Sequence, residues 1–409
     1  MKRIVQVTLG ILTAIGGFVD IGDLVANGLV GSRFGMGLAW VVPIGVLGIC
    51  VYADMSGRIA AVSGRAVFDL VRERMGPRLA MANLVASSFV NLLTLAAEVA
   101  GVALALQLAT SVSYLLFVPL VAFLVWLVIW RMPFEQMERL FGLVGLALLV
   151  FAVGLWKLGP DWGSLIHDAA HPVVQAGEGH PTYFYYAIAL FGAAMTPYEV
   201  FFFSSGGVEE NWTKKDLALE KANVLVGFPL GGVLSLAIMA TTALVLLPRG
   251  VEVDHLSQVA LPTVLALGKV GLAFLIVGFV AATFGAALET ALSSGYTVSQ
   301  YFGWQWGKLV APDKAARFHA TVLVSLIVGT MLILTTLDPI KVTEYSIVFS
   351  AIALPLTYFP ILVVANDPGY MGKDVNGRLA NTLGTLYLIL LTVVSLAAIP
   401  LMLATKAGQ

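Results

Sequence analysis

The stretch GGFVDIGDLVANG, residues 16–28, places Asp20 and Asp23 inside a segment that is otherwise apolar enough to cross a membrane. Charged side chains are costly in hydrocarbon, and those found within membrane spans usually face a protein interior or a water-filled cavity. Gly17 and Gly22 flank the first acid. Glycine tolerates irregular backbone, which survives at membrane depth only where it is buried or lines a cavity. The stretch therefore predicts an interrupted helix that holds a polar site.

The whole chain has the composition of an integral membrane protein. Of its 409 residues, 59% are hydrophobic and 11% are charged. A helical span needs about 20 apolar residues. Eleven runs meet this requirement, the first of which we expect to be retained: 4–30, 36–57, 80–108, 112–130, 138–158, 183–205, 217–247, 261–300, 318–336, 341–365 and 379–403. The run 261–300 is longer than one span needs. No soluble domain remains that could bind nucleic acid.

The positive charges predict how the chain is oriented. If the eleven spans alternate in direction, 17 of the 23 Lys and Arg residues fall on one side and 6 on the other. Loops rich in Lys and Arg stay in the cytoplasm. We therefore expect a multi-pass protein of the cell membrane with a cytoplasmic N-terminus and an external C-terminus.

A second interruption is predicted in the sixth span, in GAAMTPYEVFFFSSGG, residues 192–207. Pro197 has no N–H to donate to the carbonyl of Ala193, and Glu199 follows it. Paired interruptions in spans one and six are typical of transporters with inverted repeats of five spans. The repeats would be residues 1–158 and 183–365, separated by an external loop, 159–182, and followed by a loop and span eleven, 366–409.

The two interruptions together predict a cation site. Carbonyls freed at the breaks, such as those of Gly17 and Ala193, could bind a cation together with the carboxylates of Asp20, Asp23 and Glu199. The alternative is that Asp20 and Asp23 make only structural hydrogen bonds to neighbouring helices. An organic-solute transporter, of amino acids for example, and a protein that has lost transport are the alternative functions. Three clustered acids favour a divalent cation over a zwitterion.

Four segments resemble the Nramp divalent-metal transporters. Residues 20–40, DIGDLVANGLVGSRFGMGLAW, are similar to the family's first-span region, Asp-Pro-Gly-Asn followed by Gly-(Ser/Ala)-x-(Phe/Tyr)-Gly. Residues 94–106, TLAAEVAGVALAL, resemble its third span, residues 345–360, YSIVFSAIALPLTYFP, its tenth, and residues 278–300, more loosely, its eighth. The resemblance implies an all-α integral membrane protein with eleven transmembrane helices. Its fold would be a LeuT-type 5+5 inverted repeat with broken helices 1 and 6 plus one extra helix. It also implies a transporter rather than an enzyme, with a divalent metal ion as substrate and no cofactor, monomeric in the lipid bilayer.

The site departs from the family pattern in its metal ligands. The family binds metal with the Asp and Asn of span one, a Met of span six and backbone carbonyls. Here Asp20 keeps the Asp position, Asp23 replaces the Asn, and Thr196 replaces the Met. Carboxylate, carbonyl and water favour Mg²⁺, Ca²⁺ and Mn²⁺ over softer metals. The chain thus resembles the Nramp-related magnesium transporters, and we predict Mg²⁺ first with Mn²⁺ also carried. The alternative is a proton-coupled Mn²⁺ or Fe²⁺ importer.

The proton pathway that the resemblance implies is also altered. Tyr198 occupies the position of the family's sixth-span His, whereas Glu98 keeps the position of its third-span Glu. Tyrosine, with an ordinary pKa of about 10, exchanges protons poorly near neutral pH. Proton coupling is therefore predicted to be weak or altered. Glu289 and Glu344 are further candidates for a vestibule or relay, with structural hydrogen bonding as the alternative.

Overall fold

The protein is built from α-helices that pack against one another in a single bundle. The computed structural model describes residues 18–175, 177–335 and 338–408, and within these ranges the chain forms helices, turns and loops without a strand. The helices are α1 (Ile21–Phe34), α2 (Val41–Ser63), α3 (Val67–Met75), α4 (Pro77–Thr110), α5 (Tyr114–Arg131), α6 (Phe134–Gly145), α7 (Val150–Leu158), α8 (Trp162–Ala170), α9 (His180–Ala194), α10 (Pro197–Glu209), α11 (Leu217–Ala222), α12 (Phe228–Val245), α13 (Leu256–Phe302), α14 (Ala316–Leu334), α15 (Pro339–Ala365), α16 (Pro368–Met371) and α17 (Arg378–Ala404).

Ten helical stretches among the described residues are long and apolar enough to cross a membrane. They are Val41–Ser63, Pro77–Thr110, Tyr114–Arg131, Arg139–Leu158, His180–Glu209, Leu217–Arg249, Leu256–Phe302, Ala316–Leu334, Pro339–Ala365 and Arg378–Ala404. They match the second to eleventh predicted spans one for one. The helix α1 accounts for the second half of the first predicted span, and residues 1–17 lie outside the described residues.

Two segments differ from the simplest expectation. The segment 159–182 is not only loop, because it contains α8, which Asp161 caps by accepting a hydrogen bond from the Gly163 N–H at 3.0 Å. Asp is a preferred N-cap residue, so this helix start is locally encoded. The long run 261–300 belongs to α13, which changes direction at Gly268 (φ 63°, ψ −148°). Glycine adopts this backbone conformation without the steric cost that a Cβ would bring, so the extra length of the run reflects a kink.

The helix α15 packs against the chain next to both predicted interruptions. A Cβ on Gly192, near the end of α9, would lie 1.8 Å from the carbonyl oxygen of Ile347, and one on Gly22 would lie 2.9 Å from the side chain of the same residue. Helices pack this closely in membranes where small residues let the backbones approach. Ile347 of α15 therefore holds the two interruptions beside each other.

Candidate functional site

The interruption of the sixth span lies where the sequence predicts it. The helix α9 ends at Ala194, Met195 and Thr196 have non-helical backbone angles (φ −131°, ψ 54° and φ −64°, ψ 133°), and α10 begins at Pro197. Because proline has no N–H, the carbonyl of Ala193 cannot receive the usual bond from four residues ahead. The break thus leaves a carbonyl oxygen for another partner in the protein interior.

The interruption of the first span is centred on Asp20. This residue is extended (φ −105°, ψ −173°) and caps α1, because its Oδ1 accepts a hydrogen bond from the Asp23 N–H at 2.9 Å. Gly17, the other residue predicted to offer a carbonyl here, lies outside the described residues. The acid at position 20 therefore has a local structural role as an N-cap, in addition to any role in binding.

Hydrogen bonds between buried groups join the first interruption to α10 and to α4. The Tyr198 hydroxyl, in the first turn of α10, donates to Asp20 Oδ2 at 3.2 Å. The Ile21 N–H, at the start of α1, donates to both carboxylate oxygens of Glu98 in α4, at 3.2 and 3.4 Å. Asp20 and Tyr198 are each 3% exposed and Glu98 is 0% exposed. The structure thus brings three of the predicted residues to one point between α1, α4 and α10.

Asp23 is held by two residues that were not predicted from the sequence. Its Oδ1 accepts hydrogen bonds from Asn27 Nδ2 at 3.1 Å and from the Ser235 hydroxyl of α12 at 3.3 Å. The spacing of Asp23 and Asn27 is the four-residue spacing of neighbours on one helix face, which the sequence could have revealed. Ser235 lies on a distant span, and no local signal marks it.

Glu199 and Thr196 lie on the other side of the break. The Thr196 hydroxyl donates to Glu199 Oε2 at 3.4 Å, and the charge of Glu199 lies within electrostatic range of Asp20 and Asp23. Within residues 18–175, 177–335 and 338–408, however, no three His, Cys, Asp or Glu side chains come close enough to hold one metal ion. Asp20 and Asp23 each accept two hydrogen bonds and Glu199 accepts one, so the three predicted acids do not form a single ligand set in this conformation.

Met195, at the break, is a sulfur-bearing residue that was not predicted from the sequence. Its thioether packs against α2, because a Cβ on Gly48 would lie 2.6 Å from its sulfur. The Met195 carbonyl accepts a hydrogen bond from the Tyr358 hydroxyl at 3.3 Å. The residue directly before Pro197 is Thr196, so the side chain at this position of the break offers a hydroxyl.

The two remaining candidates lie in different places. Glu289 of α13 is within electrostatic range of Tyr198 and Glu98, and so belongs to the surroundings of the breaks. Glu344 is near the far end of α1, where its charge interacts with Arg33, Lys341 and Asp338. The structure therefore brings Glu289 to the site but not Glu344.

Comparisons with known proteins extend over nearly the whole chain. The family model described as natural resistance-associated macrophage protein-like, or Nramp, matches residues 10–400. A divalent metal cation transporter MntH 1 of Pseudomonas aeruginosa is 26% identical over 395 residues, covering 91% of this chain and 86% of the relative. The divalent metal cation transporter MntH of Ralstonia nicotianae is 26% identical over 419 residues, covering 98% of this chain and 90% of the relative.

Solved structures share the architecture. A manganese transporter of Eremococcus coleocola, crystallised with an aromatic bis-isothiourea compound, superposes with a TM-score of 0.71 at 20% identity, covering 100% of this chain and 88% of the other. MhsT in complex with L-phenylalanine superposes with a TM-score of 0.62 at 15% identity, covering 98% of both chains. These neighbours have the LeuT fold, which confirms the predicted fold class. In this chain, the breaks at Asp20 and at residues 195–196 are those predicted for helices 1 and 6.

Proposed function

The chain belongs to the Nramp family, and on that premise we propose that it carries a divalent metal cation across the plasma membrane by alternating access. Architecture alone does not select the cargo, since a similar fold in MhsT holds L-phenylalanine. The observation that carries the proposal is Asp20, a buried carboxylate at the point where two interrupted helices are joined by a hydrogen bond. Intramembrane acids of this kind mark ion pathways.

We assign the ligand set by the chemistry of the groups at the breaks. Asp20 supplies the carboxylate, the carbonyl of Ala193 and that of Gly17 supply neutral oxygens, and Thr196 supplies a hydroxyl or holds a water. Asp23 and Glu199 approach the ion through water or after a conformational change, because each accepts hydrogen bonding from another side chain in this structure. An alternating-access cycle provides such changes, since it rocks one bundle of helices against the other around the site.

An all-oxygen ligand set favours a hard cation. Mn²⁺ and Mg²⁺ both suit carboxylate, carbonyl and water ligands. The relatives are described as carriers of divalent metal or of manganese, and none of these descriptions names magnesium. We therefore propose Mn²⁺ as the leading substrate, in place of the Mg²⁺ preference predicted from the sequence. Mg²⁺ is the second candidate, because the thioether of Met195 is turned toward α2 and leaves only oxygen at the break.

Proton movement is assigned to the acids rather than to Tyr198. The Tyr198 hydroxyl donates to Asp20, so it can support the carboxylate but is a weak acid near neutral pH. Glu98 binds the Ile21 N–H directly beside Asp20 and faces the charge of Glu289. A proton released by Asp20 when the metal binds would therefore leave through Glu98 and Glu289, with coupling weaker than a histidine would allow.

The test is uptake into proteoliposomes that enclose a pH-sensitive dye, with Mn²⁺, Mg²⁺ and Ca²⁺ offered separately. Wild-type protein is expected to carry Mn²⁺, whereas Asp20→Ala abolishes uptake. Asp313→Ala, which removes an exposed acid far along the chain, serves as the matched control and should transport normally. Wild-type uptake by Asp20→Ala would disprove the proposed site, and failure of the wild type to carry any of the three ions would disprove the function.

A further inference from the structure

A separate cleft of about 270 Å³ lies where α5 ends and the loop between α13 and α14 folds back against it. It is lined by residues 129–133, residues 308–312 and His319. None of these residues belongs to the two helix interruptions. The cleft is therefore separate from the proposed transport site.

Basic side chains converge on this cleft. The ammonium of Lys308 reaches across it and donates to the carbonyl of Met132, which leaves two further N–H donors on the same nitrogen. The guanidinium of Arg131 lies over the Trp130 ring, 4.6 Å from its centroid, and His319 Nε2 lies 3.0 Å from the Val310 carbonyl oxygen. Among the described residues that line the cleft, none is acidic.

The side chain of Lys308 is buried and poorly solvated. Its backbone N–H donates to the Glu209 carboxylate. Burial lowers the pKa of its side chain to about 8, although the charge of Glu209 acts in the opposite direction. Burial disfavours the charged form of a lysine unless an anion comes near. Because the charge of Glu209 does not offset the burial of this ammonium, an anionic ligand in the cleft would stabilise its charged form further.

The position of the cleft at the end of a membrane-length helix predicts that it lies at the depth of lipid headgroups. Arg131 is the last residue of the membrane-length helix α5, and beside it Trp130 is 47% exposed and Leu309 is 64% exposed. Tryptophan concentrates at the boundary between hydrocarbon and water. The distribution of Lys and Arg predicts that this boundary is the cytoplasmic one, where anionic lipids accumulate and basic pockets between helices bind their headgroups.

We propose that this cleft binds the phosphate group of an anionic phospholipid. Lys308 and Arg131 hold the phosphate oxygens, while Trp130 and Leu309 lie along the apolar part of the lipid. Charge complementarity, the position at the end of a membrane span and the exposed apolar rim all favour a lipid over free phosphate as the source of the anion.

The test measures lipid retention by the purified full-length chain. The protein is placed in phosphatidylcholine nanodiscs, and phosphatidylglycerol, additional phosphatidylcholine or inorganic phosphate is added at equal concentration. Native mass spectrometry and the midpoint of thermal unfolding report binding. Wild-type protein should retain phosphatidylglycerol in preference to both other additions, and Arg131→Gln should weaken this retention about tenfold, the effect of one lost charged contact of about 1.4 kcal/mol.

Matched variants keep the test decisive. Lys308→Gln should weaken binding similarly, and Lys308→Arg, which keeps the charge, should restore it even if the neutral variant folds poorly. Lys314→Gln removes an exposed charge from the same loop and should leave retention unchanged. Equal retention by the wild type and Arg131→Gln would overturn the site, and binding of inorganic phosphate as tight as that of the lipid would overturn the lipid assignment. The readout is independent of which ion is transported.

Discussion

Asp20 combines two roles that a substitution can separate. As the N-cap of α1 it needs only a side-chain oxygen to accept the Asp23 N–H, and asparagine caps helices as well as aspartate does. As a metal ligand it needs a negative charge. Asp20→Asn is therefore expected to keep the thermal midpoint of unfolding in detergent within a few degrees of wild type while abolishing Mn²⁺ uptake. Normal uptake by this variant would leave Asp20 with the structural role alone.

Thr196 and Met195 allow a test of which side chain sets metal preference. A methionine at position 196 would bring a thioether to the break, and thioethers favour soft metals. Thr196→Met is expected to lower the Cd²⁺ concentration that half-inhibits Mn²⁺ uptake by about tenfold, which corresponds to about 1.4 kcal/mol.

The neighbouring methionine is the control for that variant. Met195→Leu keeps the apolar contact with Gly48 but removes the sulfur. It should leave Cd²⁺ inhibition at the wild-type level. A strong loss of Cd²⁺ inhibition in Met195→Leu would show that this sulfur reaches the ion in another conformation.

The contacts within the site show why only some of its residues could be predicted from the sequence. Asp20, Pro197 and Glu199 could be recognised because a carboxylate or a proline inside an apolar run is a local anomaly. Asn27 could have been recognised from its spacing to Asp23. The bond from Ser235 to Asp23 joins residues 212 positions apart, and the direction of the Met195 side chain depends on its packing against α2. Such features arise from tertiary structure, which a single sequence does not display.

At the scale of helices, α15 is the element that holds the break of the sixth span in place. A Cβ on Gly192 would meet the carbonyl oxygen of Ile347 at 1.8 Å and its carbonyl carbon at 2.8 Å, and backbone atoms cannot rotate out of the way. Gly192→Ala is therefore expected to destabilise the protein by about 1–3 kcal/mol, the usual cost of overpacking. The thermal midpoint of unfolding in detergent measures this effect.

Gly329, in the middle of α14, is the matched control for that substitution. A Cβ there would meet its nearest neighbour, the Ala96 nitrogen, at 3.4 Å, which is an ordinary contact. Gly329→Ala should be neutral or slightly stabilising, because alanine favours a helix over glycine by up to about 1 kcal/mol. Equal stability of the two variants would mean that α9 does not lie against α15 as closely as the structure has it.

The short helix α3 makes stability depend on pH. Burial raises the pKa of Asp69 to about 6, although Arg65 acts in the opposite direction. A carboxyl whose pKa is raised by folding contributes stability below its ordinary pKa, about 4, and this contribution is lost as the pH rises through about 6. Asp69→Asn should therefore raise the free energy of unfolding at pH 7.5 by about 1–2 kcal/mol after allowance for partial exposure, and have little effect near pH 4. The thermal midpoint of unfolding at the two pH values measures this difference.

Glu73, one turn further along α3, provides a control of opposite sign. Its hydrogen bonds to Arg65, at 2.7 and 3.0 Å, lower its pKa. Its contribution is present at neutral pH and is lost as the pH falls through its lowered pKa. Glu73→Gln should thus destabilise the protein slightly at pH 7.5, by less than about 1 kcal/mol because the pair is exposed. The Asp69 prediction fails if both variants shift the midpoint in the same direction.

The larger outline of the molecule could be predicted because it depends on sums over many residues. A run of about 20 apolar residues must cross the bilayer, so a change at one position hardly alters a predicted span. The kink of α13 at Gly268 and the helix α8 outside the spans depend on one or a few residues. In the sequence, Gly268 does not differ from a glycine that a straight helix tolerates, and Asp161 does not differ from a polar residue of a loop. Single-residue decisions of this kind need the packed structure.

The orientation of the whole chain is a prediction that the helix count makes testable. Ala170 and Asp313 are both exposed, and three membrane-length stretches separate them, His180–Glu209, Leu217–Arg249 and Leu256–Phe302. An odd number of crossings places the two residues on opposite sides, and the distribution of Lys and Arg predicts that Ala170 is external.

Cysteine labelling measures this orientation with little background, because the chain has one cysteine, Cys50, which is 2% exposed. A membrane-impermeant maleimide should label Ala170→Cys in intact cells and Asp313→Cys only after the cells are permeabilised, and the parent chain should stay unlabelled. Neither substitution removes a Lys or Arg, so the charges that determine orientation are unchanged. The reverse pattern would invert the predicted topology and move the lipid cleft beside Lys308 to the external face. Labelling of both positions in intact cells would mean that one of the three stretches does not cross the membrane.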